Sequence, residues 1–573
     1  MRMWRFANKC SHHWIAGLML GFFLVFLVYP VVYIIPMASR DRHGWTWEYI
    51  TAVWCHPLLA RALVHSLALG LVTVLGTTLL SWPMAWFVAR YRVWASSWLL
   101  GLLLIPLVLP PFVGALGLEQ FLHPYGTLNL LLGSLGWIDL DRPPDWLAWS
   151  GFFGVATMQV LHLYPILLLN LLAALANIDR SLEEAARSLG AGRWRVFRTV
   201  TLPLAMPGFY AGAVLVFIMA FTDLGTPLMF NYSSVIPVQI FNLISEREVN
   251  PLGYALVLVV LAVSAGLFFL SRRYILSREY QWITRGVRVG ESQDALPWWG
   301  NMLIWCYGLG LIVLSLVPHA MVALLALQGR WQFTALPSVY SLEAFRTLGH
   351  EGIVITAARN SVFYSLCSTG LDMILGVALA WLVVRRPSRL SGLLDGLAML
   401  PLALPGIVLA FGYLTCYTRL PVGPLRVWFD PGQNPTLLLI IGYAVRRLPF
   451  VVRSAMAGLQ QVPAALEEAA ASLGASTWRI WRTVTLPLLR PHLLAGGVLA
   501  FAFAMLEVSD SLMLAQQEKY YPLTRAIYGL SLRPDDGPQL ASALGVIGMG
   551  LLFTALLIAS RALGRSLGEL FRA

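Results

Sequence analysis

Residues 183–203, EEAARSLGAGRWRVFRTVTLP, recur at 467–487 as EEAAASLGASTWRIWRTVTLP. Of the 21 positions, 16 are identical, and the two copies lie 284 residues apart. A second stretch, IPLVLP at 105–110, recurs as LPLALP at 400–405. The two spacings, 284 and 295 residues, differ by an 11-residue insertion in the first copy. Self-similarity of this kind indicates a duplicated structural unit. The chain is therefore expected to contain two copies of one fold.

The repeated stretch is predicted to form a short helix, a turn and a second short helix. Its Glu and Ala residues favour a helix, and Gly190 and Gly474 are typical of the residue that follows a helix. Pro203 and Pro487 mark the start of the next apolar run. Small alanines allow another surface to approach closely, so two such loops indicate a partner with matching twofold symmetry.

The composition around these loops is that of a membrane protein. Hydrophobic residues make up 58% of the 573 positions and charged residues only 12%, whereas soluble chains carry about 25% charge. The apolar runs lack the alternation of barrel strands and predict an all-α membrane protein. About twelve spans are expected: 14–37, 62–88, 98–118, 151–177, 204–230, 252–272, 300–327, 360–384, 393–415, 435–457, 491–514 and 540–562.

The spans divide into two six-helix repeats. Residues 1–275 form the first repeat, with its loop at 181–203, and residues 299–573 form the second, with its loop at 465–487. The basic segment 276–298 is interpreted as a cytoplasmic linker. Because an even number of helices separates the copies, both repeats are expected to cross the membrane in the same direction.

Arginine placement predicts the orientation. The basic residues concentrate in the two repeated loops, the linker and the chain ends, so the positive-inside rule places both termini in the cytoplasm. The net charge of +12 is explained in this way, and a nucleic-acid partner is not expected. The run 14–37 exceeds the apolar core of a signal peptide, about 7–15 residues, and is interpreted as an uncleaved first helix in contact with lipid.

The repeated pattern resembles the signature of binding-protein-dependent ABC importer permeases. The pattern E-A-A-x3-G-x9-[IV]-x-L-P occurs once from Glu184 to Pro203 and once from Glu468 to Pro487. The resemblance implies the type I importer permease fold, in which this loop is a coupling helix that docks on an ATPase dimer. It also implies a periplasmic binding protein as partner. Carried over, the coupling residues are Glu183, Glu184, Ala185, Ala186, Gly190, Glu467, Glu468, Ala469, Ala470 and Gly474.

The ATPase itself is expected on another chain. A phosphate-binding loop needs a Lys followed by Ser or Thr, and the two lysines here, Lys9 and Lys519, precede Cys10 and Tyr520. No enzymatic activity and no cofactor are predicted. The five scattered cysteines contain no C-x-x-C pair, and the histidines no H-x-x-x-H pair, so no metal site is predicted.

Ionisable residues inside spans are candidates for the substrate path. Asp223 and Glu507 occupy equivalent positions late in two spans. If the two carboxylates face each other across the repeat axis, they would suit a cationic substrate. The alternative is that each carboxylate caps a helix end. The proline pairs Pro106/Pro110 and Pro401/Pro405 are expected to break the third and ninth spans, as happens where backbone lines a cavity.

Four further ionisable side chains lie in or beside the predicted spans. Asp372 lies mid-span and is expected to form local hydrogen bonds. Arg446 and Arg447, with His162 opposite Arg446 in the first repeat, are either gate residues or the cytoplasmic flank of the tenth span. The flank is the preferred interpretation.

The predicted function is transport of cargo from a periplasmic binding protein into the cytoplasm. The sequence resembles ferric-iron permeases most, with thiamine, phosphonate and polyamine permeases as alternatives. An ion-coupled secondary transporter also has twelve helices in two halves, but it needs no duplicated coupling loop. A membrane-embedded enzyme would need a cluster of catalytic or metal-binding residues, which the sequence does not show.

Overall fold

The computed structural model describes residues 2–41, 44–147, 151–245, 251–277, 294–418 and 424–563, and this part is overwhelmingly helical. The first half contains α1 (Arg2–Phe23), α2 (Tyr29–Ala38), α3 (Glu48–Cys55), α4 (Pro57–Arg90), α5 (Ser96–Leu103), α6 (Ile105–Val108), α7 (Pro111–Leu122), α8 (Thr127–Ser134), α9 (Phe152–Ala176), α10 (Arg180–Ser188), α11 (Arg193–Val196), α12 (Leu202–Phe221), α13 (Gly225–Met229), α14 (Ile236–Ser245) and α15 (Pro251–Ser277).

The second half contains α16 (Trp298–Leu327), α17 (Glu343–His350), α18 (Gly352–Arg385), α19 (Arg389–Met399), α20 (Gly406–Thr418), α21 (Pro424–Phe429), α22 (Thr436–Gln461), α23 (Ala464–Ser472), α24 (Thr477–Ile480), α25 (Leu486–Met505), α26 (Ser509–Leu514), α27 (Leu523–Ser531) and α28 (Gly537–Leu563). Wide π-helical turns occur at Leu24–Val28, Phe197–Thr201 and Trp481–Thr485, and 3₁₀ turns at Leu400–Leu402 and Glu518–Tyr520.

Six two- or three-residue strands form three small pairs. The strands are β1 (Arg40–Asp41), β2 (Gly44–Trp45), β3 (Tyr91–Arg92), β4 (Asp294–Ala295), β5 (Gln328–Arg330) and β6 (Val339–Tyr340). β1 pairs antiparallel with β2 and β5 antiparallel with β6, whereas β3 and β4 are parallel with Tyr91 opposite Asp294. Most of the predicted linker, 278–293, lies outside the described residues.

The all-α membrane fold is confirmed. In the described residues, nine helical segments are long and apolar enough to cross a membrane, and two bent helix pairs raise the number to eleven. The predicted span 435–457 corresponds to α22, which has 26 residues. This helix is long enough to cross a membrane. Its composition does not fit a span, because every 18-residue window of it includes Arg446, Arg447 and Arg453.

The predicted proline breaks are confirmed. Ser96–Val108 and Pro111–Ser134 meet at 90°, and Arg389–Leu402 and Gly406–Thr418 meet at 103°. Leu109, directly before Pro110, is extended, with φ −80° and ψ 136°. A proline ring disfavours the helical conformation in the residue before it, so each second proline stops one helix and lets the next begin in a new direction.

The described chain separates into two compact units that do not coincide with the two sequence repeats. The terminal unit comprises residues 1–52, 243–258 and 343–573, and the central unit comprises 53–242 and 259–342. The first helix of each repeat thus belongs to the unit built mainly from the other repeat. The repeat boundaries at 275 and 299 divide the sequence and remain a prediction.

Equivalent glycines receive the exchanged helices in the two units. In the terminal unit, a Cβ at Gly412 would lie 2.9 Å from the Pro30 carbonyl oxygen, and the Tyr413 hydroxyl donates to the Phe26 carbonyl at 2.6 Å. In the central unit, a Cβ at Gly117 would lie 1.9 Å from the Pro318 carbonyl oxygen. Only glycine permits this close helix contact, so each unit depends on it for its core packing.

Candidate functional site

The first repeated loop folds as the sequence predicts. Asp179 precedes α10 and its carboxylate accepts from the Ser181 backbone N–H at 2.9 Å, which lowers the pKa of Asp179. Gly190 follows α10 with φ +85°, the left-handed conformation that ends helices. α11 and a π-helical turn then lead into α12.

A buried ion pair anchors this loop to the end of α4. Arg90 Nη2 lies 2.5 Å from Glu183 Oε1, and both side chains are 8% exposed. The Thr201 hydroxyl donates to the same carboxylate oxygen, and Arg180 donates to the Arg90 carbonyl at 2.6 Å. The Arg90 guanidinium also lies over the Trp86 ring, 5.6 Å from its centre. The loop is thus held at both of its ends by one carboxylate.

The second loop repeats this arrangement more loosely. Arg385 Nη2 lies 3.3 Å from Glu467 Oε1, with the side chains 15% and 22% exposed. The Thr485 hydroxyl donates to Glu467 at 3.0 Å, and Arg385 also donates to the Val462 carbonyl at 2.8 Å. Gly474 has φ +83°. The Arg–Glu–Thr anchor is therefore part of the duplicated unit.

Glu183 and Glu467 face inward instead of outward. The resemblance implies that both face a partner, but Glu183 is buried and Glu467 only partly exposed, because each binds the arginine at the end of a span. Their neighbours Glu184 and Glu468 are exposed, as are Ala185 and Ala469, and Ala186 and Ala470 are half-buried. These residues leave a small-residue patch accessible on each loop.

Large apolar side chains are exposed on both loops at matching positions. Leu189 is 90% exposed and its equivalent Leu473 is 89% exposed. The other exposed members are Leu182 and Trp194 in the first loop, and Leu466 and Trp478 in the second. Trp194 stacks on Phe197 and Trp478 on Trp481, so the indoles are held in place. Exposed apolar patches of this kind are typical of protein interaction surfaces.

A cluster of buried charges lies within the terminal unit. Arg446 and Arg447, from the middle of α22, each donate to a different oxygen of Glu507, which follows α25. Arg447 also donates to the Phe503 carbonyl at 3.1 Å. The interpretation of the two arginines as a cytoplasmic flank is wrong, because they are the eleventh and twelfth residues of a 26-residue helix and are largely buried.

Two more carboxylates lie near this cluster. Asp510 is fully buried, and one of its oxygens lies 3.9 Å from Arg446 Nη1. Asp372 is also fully buried and lies within electrostatic range of Arg447. The prediction of local hydrogen bonds for Asp372 is wrong, since within the described residues neither of its oxygens has a hydrogen-bond partner.

In the first repeat, Asp223 occupies the position equivalent to Glu507 but takes part in no ion pair among the described residues. Asp223 accepts from the Gly225 N–H at 3.0 Å and the Thr226 N–H at 3.4 Å, which makes it a cap of α13. Gln159 donates to the other oxygen of Asp223 at 3.2 Å. The capping alternative is thus confirmed for Asp223, whereas Glu507 forms ion pairs.

Basic side chains contact both proline breaks. In the central unit, His162 Nδ1 lies 2.9 Å from the Pro106 carbonyl oxygen, and His319 Nε2 lies 3.4 Å from that of Pro110. In the terminal unit, a Cβ at Gly406, beside Pro405, would lie 2.4 Å from the Arg446 guanidinium. A break leaves carbonyls without helical donors, and His162 contacts one of them. Arg446, at the equivalent position, packs against the second break and donates to Glu507.

Sequence reasoning did not identify the arginine and threonine of the loop anchor. The available signal was spacing, because Arg90 and Arg385 lie 295 residues apart, like the proline motifs. Thr201 and Thr485 lie 284 apart, like the loops. No pattern within the loop itself indicates which span end it contacts. In the described parts of the chain, no group of three or more His, Cys, Asp or Glu residues is arranged to hold a metal ion.

Comparison with known proteins gives two family matches and several relatives. The family described as "binding-protein-dependent transport system inner membrane component" matches residues 78–280 and again 372–568. The ferric transport system permease protein FbpB of Actinobacillus pleuropneumoniae is 28% identical over 514 residues, 86% of this chain and 71% of that protein. The Fe(3+)-transport system permease protein FbpB 2 of Haemophilus influenzae is 24% identical over 467 residues, covering 81% and 82%.

Other relatives match only about a third of the chain. The spermidine/putrescine transport system permease protein PotB of Salmonella typhimurium is 32% identical over 206 residues, 35% of this chain and 70% of that protein. The double family match confirms the internal repeat that the loop sequences indicate.

Proposed function

Because the chain belongs to the family of binding-protein-dependent transport system inner membrane components, we propose that it imports ferric iron through the membrane as the permease of an ABC importer. A separate ATPase dimer docks on its two coupling loops, residues 181–203 and 465–487. A periplasmic binding protein delivers the cargo to the opposite face.

The duplicated, anchored loop carries this proposal. Each loop exposes two leucines and a tryptophan, while an internal Glu binds the Arg at the end of a span. A partner that pushes on the exposed face therefore moves that span as well. Two equivalent loops suit a partner with two equivalent subunits.

The ATPase is proposed as a separate chain on sequence grounds. Neither Lys9 nor Lys519 lies in a phosphate-binding loop. The first coupling loop carries four arginines, Arg187, Arg193, Arg195 and Arg198. Such an excess of positive charge favours a cytoplasmic position for the loop. Counting α22 as the tenth span, four spans precede the first loop and eight follow it, so both termini then lie in the cytoplasm of a bacterial inner-membrane protein.

The ferric cargo is proposed from the names of the two long relatives. The carboxylates Asp223 and Glu507 add little support, because one caps a helix and the other is neutralised by two arginines. We place the cargo's path along the broken spans at Pro106, Pro110, Pro401 and Pro405, and assign selectivity mainly to the binding protein.

Uptake of radiolabelled ferric ion into proteoliposomes tests the proposal. The chain is reconstituted with its ATPase and binding protein, and matched vesicles lack ATP, carry a hydrolysis-deficient ATPase or omit the binding protein. Uptake is expected only with all components active. Uptake driven by an ion gradient without ATP contradicts the ABC mechanism and favours a secondary transporter.

Competition separates the cargo from the mechanism. Excess unlabelled ferric ion should suppress uptake, and spermidine, thiamine or a phosphonate should not. ATP-dependent uptake of spermidine in place of iron would refute the cargo and leave the mechanism standing.

A further inference from the structure

A cavity of about 350 Å³ opens on the terminal unit between α18, the start of α22 and the segment after α26. It is lined by Arg359, Asn360, Phe363, Tyr364, Thr436, Lys519 and Tyr520. Two of these residues are cations and three are aromatic. Lys519 is one of only two lysines in the chain, and the proposed transport cycle gives it no role.

The cavity lies at the depth of a membrane interface. α18 has 34 residues, which corresponds to about 51 Å, roughly 20 Å more than the hydrocarbon core. Arg359 is the eighth residue of α18, about 10 Å from its first residue. The next charged residue along the helix is the buried Asp372. Arg359 therefore marks the edge of the apolar part of this span.

Hydrogen bonds to α18 fix the backbone at Lys519, the second cation of the cavity. Asn360 donates to the Lys519 carbonyl at 3.0 Å and to the Tyr521 carbonyl at 3.2 Å. The Tyr364 hydroxyl donates to the Tyr520 carbonyl at 3.2 Å. Because the 519–521 backbone is fixed to α18, ligand binding does not have to order it, and this lowers the entropic cost of binding.

The cavity has positive charge without an acidic counterpart. No Asp or Glu is among its lining residues in the described part of the chain. Within the same residues, neither Arg359 nor Lys519 takes part in an ion pair, and the Lys519 ammonium lies 4.7 Å from the centre of the Tyr520 ring. The adjacent Glu518 does not line the cavity. Two such cations suit a phosphate group.

An exposed apolar stripe descends from Arg359 along α18. Phe363, Leu366 and Ile374 are 50%, 57% and 71% exposed. A Cβ added at Gly370, which lies between them, would meet no other described atom within 4 Å. Spacings of three and four residues place these positions on one helix face. The stripe gives an acyl chain a continuous apolar track, with a shallow groove at Gly370.

We propose that this cavity binds an anionic phospholipid, with its phosphate between Arg359 and Lys519 and one acyl chain along Phe363, Leu366 and Ile374. The charge pair selects the headgroup, and the stripe distinguishes a lipid from a free phosphate ion. Neither part of the site depends on the cargo or on the ATPase.

Lipid titration of the full-length protein in neutral detergent tests this site. Binding of phosphatidylglycerol, phosphatidylcholine and inorganic phosphate is followed by native mass spectrometry and by thermal stabilisation. The variants are Arg359→Gln, Lys519→Gln, the double variant and Phe363→Ala, with Arg346→Gln as the control, since Arg346 is also exposed but lies outside the cavity.

Phosphatidylglycerol should bind more tightly than phosphatidylcholine, and inorganic phosphate should bind negligibly. Each single charge variant is expected to weaken phosphatidylglycerol binding about fivefold, and the double variant about thirtyfold. Phe363→Ala should weaken long-chain more than short-chain phosphatidylglycerol, and Arg346→Gln should change nothing. Equal binding of the two lipids, unchanged binding in the double variant, or phosphate binding as tight as lipid binding would overturn the proposal.

Discussion

Replacing Glu183 by Gln tests how firmly the first coupling loop is attached to its span. The variant removes the charge that binds Arg90 and leaves that guanidinium buried without an anion. Removing one member of a buried ion pair costs about 3–5 kcal/mol. Since the amide oxygen still accepts from Thr201, we expect a cost near the lower end, about 3 kcal/mol.

The equivalent variant Glu467→Gln is a matched comparison within the same molecule. Its ion pair is longer, 3.3 Å against 2.5 Å, and more exposed, so we expect a loss of about 1 kcal/mol. Hydrogen exchange measured by mass spectrometry reports local opening of each loop. Protection of α10 should fall about a hundredfold in Glu183→Gln, whereas protection of α23 should fall about fivefold in Glu467→Gln.

The double variant Arg90→Met/Glu183→Gln is the control. It removes both charges, so it should destabilise the loop by less than the sum of the two single variants. Peptides from α28 serve as an internal reference for global opening. Equal loss of protection in the two loops, or additive effects of the Arg90 and Glu183 variants, would refute the assignment of the anchor.

Substitutions at the loop glycine, the buried charges and the helix cap give three other predictions. Gly474→Pro removes the N–H that donates to the Ala471 carbonyl, and proline cannot adopt φ +83°. ATP-driven uptake should therefore fall at least tenfold in Gly474→Pro and by an intermediate amount in Gly474→Ala, while membrane fractionation should show unchanged insertion. Normal uptake in both Gly474→Pro and Glu468→Arg would contradict the coupling role. Glu507→Gln removes the charge that binds two largely buried arginines, so it should lower the free energy of unfolding by about 3–5 kcal/mol. Asp223→Asn at the cap of α13 should lower it by about 1 kcal/mol. Thermal unfolding measures both, and a larger fall in the Tm of Asp223→Asn would contradict this order. Because folding lowers the pKa of Asp179, its carboxylate stabilises α10 fully above the unfolded pKa, about 4. This stabilisation is lost as the pH falls through the lower folded pKa. Spectroscopy of the loop should show this loss of helix, and an identical pH profile in Asp179→Ala would disprove the role of the Asp179 cap.

Local chemistry was enough to predict the loops and the broken spans. Gly190 and Gly474 adopt positive φ, which glycine does without the steric cost of a Cβ. The helices end at Pro110 and Pro405, because each proline favours an extended conformation in the residue before it. These effects act within a few residues of the chain. The duplicated pattern also predicted that each feature would occur twice.

Two features that the sequence did not predict depend on contacts between residues far apart in the chain. Arg446 and Arg447 resemble a polar helix flank until Glu507, sixty residues later, is known to neutralise them. The exchange of first helices between the compact units depends on the contact of Pro30 with Gly412, 382 positions apart. Neither contact leaves a periodic signal in the sequence.

ATP-driven uptake by variants of the exposed loop face is the decisive measurement for docking of the ATPase. Leu189→Asp and Leu473→Asp change side chains that are about nine-tenths exposed, so the Tm of the isolated permease should not change. In the reconstituted transporter, the double variant should lose ATPase association and ferric-ion uptake together, with each single variant partly impaired. Wild-type uptake and ATPase binding in the double variant would contradict the coupling role of the two loops.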